Sequence, residues 1–193
     1  MARRGSVFFK WVLFALIIGI IVGFAVSLFA LCVEQVTALR NTYDWLIFLL
    51  PLGGIAIVLF YRRWGAKGVE SANSVLTAVR ENTELPLRTA PMIFISTLIT
   101  HIFGGSAGRE GAALQIGGSV SAAIGRRLKL DKKDLGIMIM CGMSAGFAAM
   151  FGTPVASAMF SMEVVSVGVV YYAALVPCLL SALAGAQIAQ LLG

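Results

Sequence analysis

The residues with the most chemistry to offer lie in one stretch, Gly104-Gly105-Ser106-Ala107-Gly108-Arg109-Glu110-Gly111-Ala112-Ala113-Leu114-Gln115-Ile116-Gly117-Gly118. A glycine-rich turn that feeds a helix leaves the first backbone N–H groups of that helix without an intrahelical acceptor. Those donors, with about half a positive charge from the helix dipole, make a site for an anion. Glu110 stands where the helix should begin. As a carboxylate it can occupy the anion's place, and once protonated it vacates it. Arg109 and Glu110 also follow an apolar run, which puts two charges at membrane depth. A charged side chain there costs roughly 2.5–3.5 kcal/mol on insertion scales and marks a functional site by default. Irregular backbone is tolerated at that depth only where it lines a cavity or is buried in protein. A broken helix that presents its amides to an anion pathway uses every feature of the stretch.

Other reactive side chains offer less. His101 stands alone beside Gly104 and Gly105 and reads as a packing and hydrogen-bonding residue. Glu163 is either an inner proton station or a carboxylate at a helix end, with the second the plainer reading. Cys32, Cys141 and Cys178 sit in apolar runs without metal-ligand spacing and read as buried free thiols. No His/Cys/acid cluster and no nucleophile–base pair is spaced for catalysis, so no metal, cofactor or enzymatic activity is expected.

The elements that position this stretch belong to a polytopic membrane protein. The chain has 193 residues, 59% of them hydrophobic and 12% charged, with a mean hydropathy of +0.92, far from the balance of a soluble domain. The net charge of +6 does not suggest nucleic acid, because the basic residues are dispersed among hydrophobic spans. Residues 11–33 form 23 consecutive positions without a charge, too long for a signal peptide and long enough to span. A first helix is expected over 8–39, with Gly19 and Gly23 in small-xxx-small spacing. A second span covers 45–61, loosened in its first half by Pro51-Leu52-Gly53-Gly54. Residues 69–80 are too polar and short to cross lipid, and fit either a half-helix turned toward a pathway or a linker helix. An apolar helix follows over 89–103, then the glycine turn and a helix over 110–128 whose small residues suit burial among other helices. Residues 135–151 carry Gly142 and Gly146 in the same spacing. Gly152-Thr153-Pro154 breaks that run, and the segment 159–165 carries Glu163. A final span over 169–192 is expected to break at Pro177. With the N-terminus cytoplasmic, thirteen of the fifteen Lys and Arg residues fall on cytoplasmic segments, leaving Arg40 and Arg109. That skew supports the orientation. Short segments interrupted by Gly and Pro point to a transporter of the broken-helix kind.

These residues carry a resemblance. Gly108-Arg109-Glu110-Gly111 followed by Gln115-Ile116-Gly117-Gly118 is similar to the signature of the CLC family of anion channels and proton-coupled anion antiporters. The run from Gly142 through Gly146-Phe147-Ala148-Ala149-Met150-Phe151-Gly152-Thr153-Pro154 resembles that family's next helix pair. The wider string from Leu85-Pro86-Leu87-Arg88 through Thr100-His101-Ile102-Phe103 to Glu110 is more similar to the bacterial fluoride-exporting branch. The resemblance implies an all-α multi-pass bundle with broken, re-entrant helices, in which residues 1–193 form one unit, the first half of an inverted-repeat fold. It implies that Glu110 is the gating and proton-coupling glutamate, and that Gly108, Arg109, Glu110 and Gly111 line the outer anion site. It further implies a homodimer in the bacterial plasma membrane, and a second half supplied by the same or a separate chain.

Three positions depart from the family pattern. Ala112 stands where a proline usually follows the glutamate-glycine pair. The Gly-Ser-Gly-Ile-Pro motif of chloride members is absent; its nearest counterpart is Ala66-Lys67-Gly68-Val69-Glu70-Ser71, which makes Ser71 a candidate anion ligand. Glu163 precedes Val164, where chloride/proton antiporters tend to have two glutamates. Loss of the serine motif and of the second acid favours fluoride/proton exchange over chloride exchange. The rival readings are a passive chloride or fluoride channel on the same scaffold, and a membrane assembly subunit in which Arg109 and Glu110 form a structural ion pair.

Overall fold

A computed structural model describes residues 2–64, 73–81, 83–165 and 171–193, with side chains from Phe8 onward. Among the described residues, eight α-helices run in order: α1 (Ala2–Thr42), α2 (Leu50–Arg63), α3 (Asn73–Glu81), α4 (Thr89–Ile102), α5 (Arg109–Arg127), α6 (Lys132–Phe151), α7 (Pro154–Glu163) and α8 (Leu175–Leu192). Two 3₁₀ turns, Asp44–Leu49 and Tyr172–Ala174, lead into α2 and α8. Among the described residues, four segments are long and apolar enough to cross a membrane: Phe8–Thr42, Asp44–Arg63, Lys132–Phe151 and Tyr172–Leu192.

Proline placement sets two of these boundaries. Pro51 occupies the first turn of α2, where a missing N–H costs nothing, so the loosened first half of the second span takes the form of a 3₁₀ turn ahead of a regular helix. Pro177 does the same in α8. The expected break at Pro177 is therefore corrected: α8 runs on through it from Leu175, and the interruption lies one turn earlier, at Tyr172–Ala174. At the end of α6, Gly152 adopts a left-handed conformation (φ 68°) and its N–H bonds the Ala148 carbonyl at 2.8 Å. That turn closes the helix before Pro154 opens α7. Asp131 caps the start of α6, its Oδ1 accepting from the Asp134 N–H at 2.8 Å.

The core centres on α6, which packs against α1, α5, α7 and α8. Its apolar window is 67% buried, whereas that of α2 is 6% buried; α6 is an interior helix and α2 a peripheral one. Close approach rests on the small-residue pairs. A Cβ on Gly19 would lie 2.6 Å from both the Ser181 carbonyl oxygen and the Ala184 Cβ, and one on Gly23 would lie 2.8 Å from the Gly185 Cα, so α1 seats on α8. Gly142 of α6 meets Gly117 and Ser121 of α5, and Gly146 meets the Ala113 carbonyl. Reciprocal hydrogen bonds join α6 to α8: Ser144 Oγ donates to the Cys178 carbonyl at 3.0 Å, and Ser181 Oγ to the Cys141 carbonyl at 2.9 Å. In lipid, close packing and interhelical hydrogen bonds of this kind drive association.

Chain direction gives the bundle two distinct ends. At the basic end, Lys10 of α1 pairs with Asp134 of α6 at 3.7 Å, beside the α5–α6 turn with Arg126, Arg127, Lys129, Lys132 and Lys133. Arg126 Nη2 donates to the Leu85 carbonyl at 2.6 Å, which holds the segment before α4 to this end. The other end holds the close of α1, the close of α4 and the start of α5.

Candidate anion-binding site

The start of α5 is built by a turn that three helices clamp. At the end of α4 the Gly104 N–H donates to the His101 carbonyl at 3.0 Å and the Gly105 N–H to the Thr100 carbonyl at 2.8 Å. Gly104 has φ 77°, a region that only glycine enters without strain. Its Cα is also covered: an added Cβ would lie 3.1 Å from Arg40 Nε of α1 and 3.6 Å from Ile47 Cγ1. Phe103 packs its ring on Gly53 of α2, and Gly105 sits between Thr100 and Leu50. His101 behaves as expected, Nδ1 donating to the Thr97 carbonyl at 2.9 Å. Beyond Gly105 the support ends. Ser106 and Gly108 are exposed, and an added Cβ on Gly108 would meet nothing within 4 Å.

Gly108 is the N-cap of α5, with extended backbone (φ −67°, ψ 117°) and no side chain to cap the helix. The amides of Arg109, Glu110 and Gly111 are thus the first-turn donors that lack an intrahelical acceptor. Glu110 lies in this first turn and is exposed, while Arg109 and Gly111 are half-buried. The helix begins one residue before the sequence-based expectation because Gly108, rather than Arg109, adopts the non-helical backbone. Among the described residues the only ion pair is Lys10–Asp134, so Arg109 and Glu110 do not form the structural pair that the assembly-subunit reading requires.

Below its first turn, α5 is fixed firmly. Ala112 through Ser119 are all buried, as are Ser121 and Ala122. Gly118 faces Val75 of α3, and Gly117 faces Gly142 of α6. The helix therefore has a rigid shaft and an open tip. Gln115, six positions past the first helical residue, is 6% exposed and its Oε1 has no hydrogen-bond partner.

The remaining predicted residues do not join this cluster. Glu163 is the last residue of α7 and is exposed. It lies at the basic end, where Arg80 Nε donates to the Val165 carbonyl and Nη2 to the Val164 carbonyl at 3.0 Å. Glu110 is at the opposite end of the bundle. Ser71 lies outside the described residues, as does the start of the segment expected over 69–80; the described part is helical from Asn73. Sequence reasoning missed Arg40, whose Nε is buried without a hydrogen-bond partner over the Gly104 turn. Its only sequence signal was that, with Arg109, it fell outside the cytoplasmic basic segments. The three cysteines are free, Cys141 and Cys178 buried and Cys32 half-buried, and no group of metal-ligating side chains forms among the described residues.

Comparison with known proteins agrees with the fold. Residues 53–193 match the family described as "Voltage gated chloride channel". A "Chloride/fluoride channel protein" of Pseudomonas syringae pv. tomato is 38% identical over 186 residues, which span 95% of this chain and 41% of that protein. A "Voltage-gated ClC-type chloride channel" of Escherichia coli O81 is 25% identical over 201 residues, spanning 95% of this chain and 48% of its own. The crystal structure of a CLC-type fluoride/proton antiporter superposes with a TM-score of 0.91 at 34% identity, over 96% of this chain and 47% of that one. A slow cyanobacterial Cl⁻/H⁺ antiporter gives a TM-score of 0.75 at 20% identity, which speaks to the fold alone. The chain spans about half the length of the relatives it matches.

Proposed function

This chain belongs to the voltage-gated chloride channel family, CLC, and from that membership we propose that it forms part of a halide transporter that exchanges fluoride for protons and exports fluoride. The observation that carries the proposal is the start of α5: an uncapped helix N-terminus with Glu110 in its first turn, exposed and without an ion-pair partner among the described residues. The resemblance of the antiporter crystal structure to this chain supports the choice of fluoride and protons.

The mechanism follows from competition for the same donors. A halide entering the site accepts hydrogen bonds from the amides of the first turn, which the helix dipole favours. The Glu110 carboxylate, held on the same turn, accepts them when the halide is absent. A proton arriving at Glu110 removes its charge and frees the donors for the halide. Loss of that proton restores the carboxylate and expels the ion. Proton and halide are thereby linked at one helix tip. The rest of the pathway comes from a second half, in the same or a separate chain, and the transporter assembles as a homodimer in the bacterial plasma membrane, with the N-terminus of this chain cytoplasmic.

The test is proton-coupled fluoride efflux from liposomes containing the full-length protein. Glu110→Gln keeps the size of the side chain and removes the titration, so efflux should lose its dependence on a proton gradient. Coupling unchanged in that variant removes Glu110 from the mechanism. A second reading, a passive channel, draws support from the name of the Pseudomonas relative. The reversal potential separates the two: an antiporter's shifts with the proton gradient, and a channel's does not.

A further inference from the structure

Two thiols that the transport mechanism does not use meet in the seam between α6 and α8. Cys141 and Ser144 lie about one turn apart on α6, and Cys178 and Ser181 about one turn apart on α8, so each helix presents a cysteine and a serine on one face. The reciprocal bonds of the seam fix how those faces meet: Ser144 Oγ reaches the Cys178 carbonyl at 3.0 Å, and Ser181 Oγ the Cys141 carbonyl at 2.9 Å. The Cys141 and Cys178 thiols come within hydrogen-bonding reach of each other, and neither is in a disulfide. Cys141 is 1% exposed and the other three residues are 0% exposed. Just beyond the pair the backbones touch, since an added Cβ on Gly185 would lie 2.7 Å from the Ala145 carbonyl oxygen.

We propose that Cys141 and Cys178 form a binding site for a thiophilic divalent cation that is satisfied by two ligands, of which mercuric ion is the type. Coordination number selects first. Zinc takes four ligands, and no group of three or more metal-ligating side chains forms among the described residues. The serine hydroxyls and cysteine carbonyls of the seam are already bonded to one another. Softness selects next, because paired sulfurs favour soft cations over the hard ones that oxygen ligands hold. Charge selects last. Both thiols give up their protons to ligate, so a monovalent soft cation would leave a net negative charge in the apolar seam, which is costly at membrane depth. A divalent one leaves none. The ion enters as its neutral dichloride. Two mercury–chlorine bonds break, two mercury–sulfur bonds form, and the two thiol protons leave with the chlorides as hydrogen chloride, with no change of oxidation state. The inference is independent of which ion the protein moves.

The test is mercury retention by the purified full-length protein, loaded with mercuric chloride in detergent and then washed with β-mercaptoethanol. A lone thiolate yields its ion to that monothiol, whereas two thiolates on a fixed seam hold it by chelation. Removing either should therefore lower the monothiol concentration needed to strip the ion by about a hundredfold. After the wash, native mass spectrometry should find one more mercury per chain in the unmutated protein and in Cys32→Ala than in Cys141→Ala or Cys178→Ala. A dithiol, dimercaptopropanol, should remove it. X-ray absorption by the ion retained on the unmutated protein reads the site without any substitution, and should show two sulfur neighbours and no chlorine. Equal retention by the unmutated protein and both seam variants overturns the proposal. So does a sulfur–chlorine pair around the retained ion, or its complete loss in the monothiol wash.

Discussion

Replacing Gly142 by alanine tests whether the α5–α6 contact sets the position of the α5 tip. An added methyl would overlap two groups of α5, Ser121 Oγ and the Gly117 carbonyl oxygen. The first can rotate away only by giving up its 2.8 Å hydrogen bond to the Gly117 carbonyl within α5, an i−4 back-bond that adds little to helix stability. The second is backbone and cannot rotate, so the helices must separate. Overpacking of this kind costs about 1–3 kcal/mol, and the gain in helix propensity on replacing glycine returns at most about 1 kcal/mol. The net loss is up to about 2 kcal/mol, which lowers Tm by up to about 8 °C. Gly54→Ala is the matched control, because an added Cβ there meets nothing within 4 Å; it keeps the propensity gain and should raise Tm by about 2–4 °C. Ser121→Ala combined with Gly142→Ala should recover only part of the loss, since the carbonyl overlap remains. The assay is thermal unfolding of the purified protein in detergent, followed by tryptophan fluorescence. A Tm for Gly142→Ala equal to or above that of Gly54→Ala would refute the reasoning.

Two further substitutions probe the turn and the α6–α8 seam. Gly104→Ala places a side chain at φ 77° and 3.1 Å from Arg40 Nε. It should lower Tm and slow fluoride efflux together, whereas a fall in Tm with unchanged efflux would show that the turn does not position the α5 tip. Ser181→Ala removes the hydrogen bond to the Cys141 carbonyl and should cost about 0.6 kcal/mol and not more than about 1.7 kcal/mol, read as a shift in the denaturation midpoint with unchanged proton coupling.

Much of this architecture could be read along the chain, because lipid restricts the choices available to the backbone. The apolar runs became helices, and the start of α5 was legible to within one residue, from glycines followed by a charged pair. The small-residue pairs were visible as well, but not their partners. Nothing local to Gly19 and Gly23 says that they seat on Ser181, Ala184 and Gly185, since that choice is made by the packing of the whole bundle. Arg40 was opaque for the same reason: its place over Gly104 joins the ends of α1 and α4, and no periodicity encodes it. The prolines were legible as interruptions, but each interruption fell ahead of the proline, since Pro51 and Pro177 both settled into first turns. Whether the polar segment before α4 is a half-helix facing a pathway rests on residues 65–72, outside the described part of the chain.

The seating of α1 on α8 has a consequence for biogenesis. The ribosome makes the groove containing Gly19 and Gly23 well before its counterpart containing Ser181 and Gly185. At roughly 5–20 residues per second, α1 waits roughly ten to thirty seconds in the bilayer before its mate is synthesised. Throughout that interval its narrow stripe is open to the lipid, to insertion factors or to the same stripe on a neighbouring nascent chain. Correct assembly at this seam is therefore a race between translation and premature pairing, and codon usage ahead of α8 would bear on how often it is won.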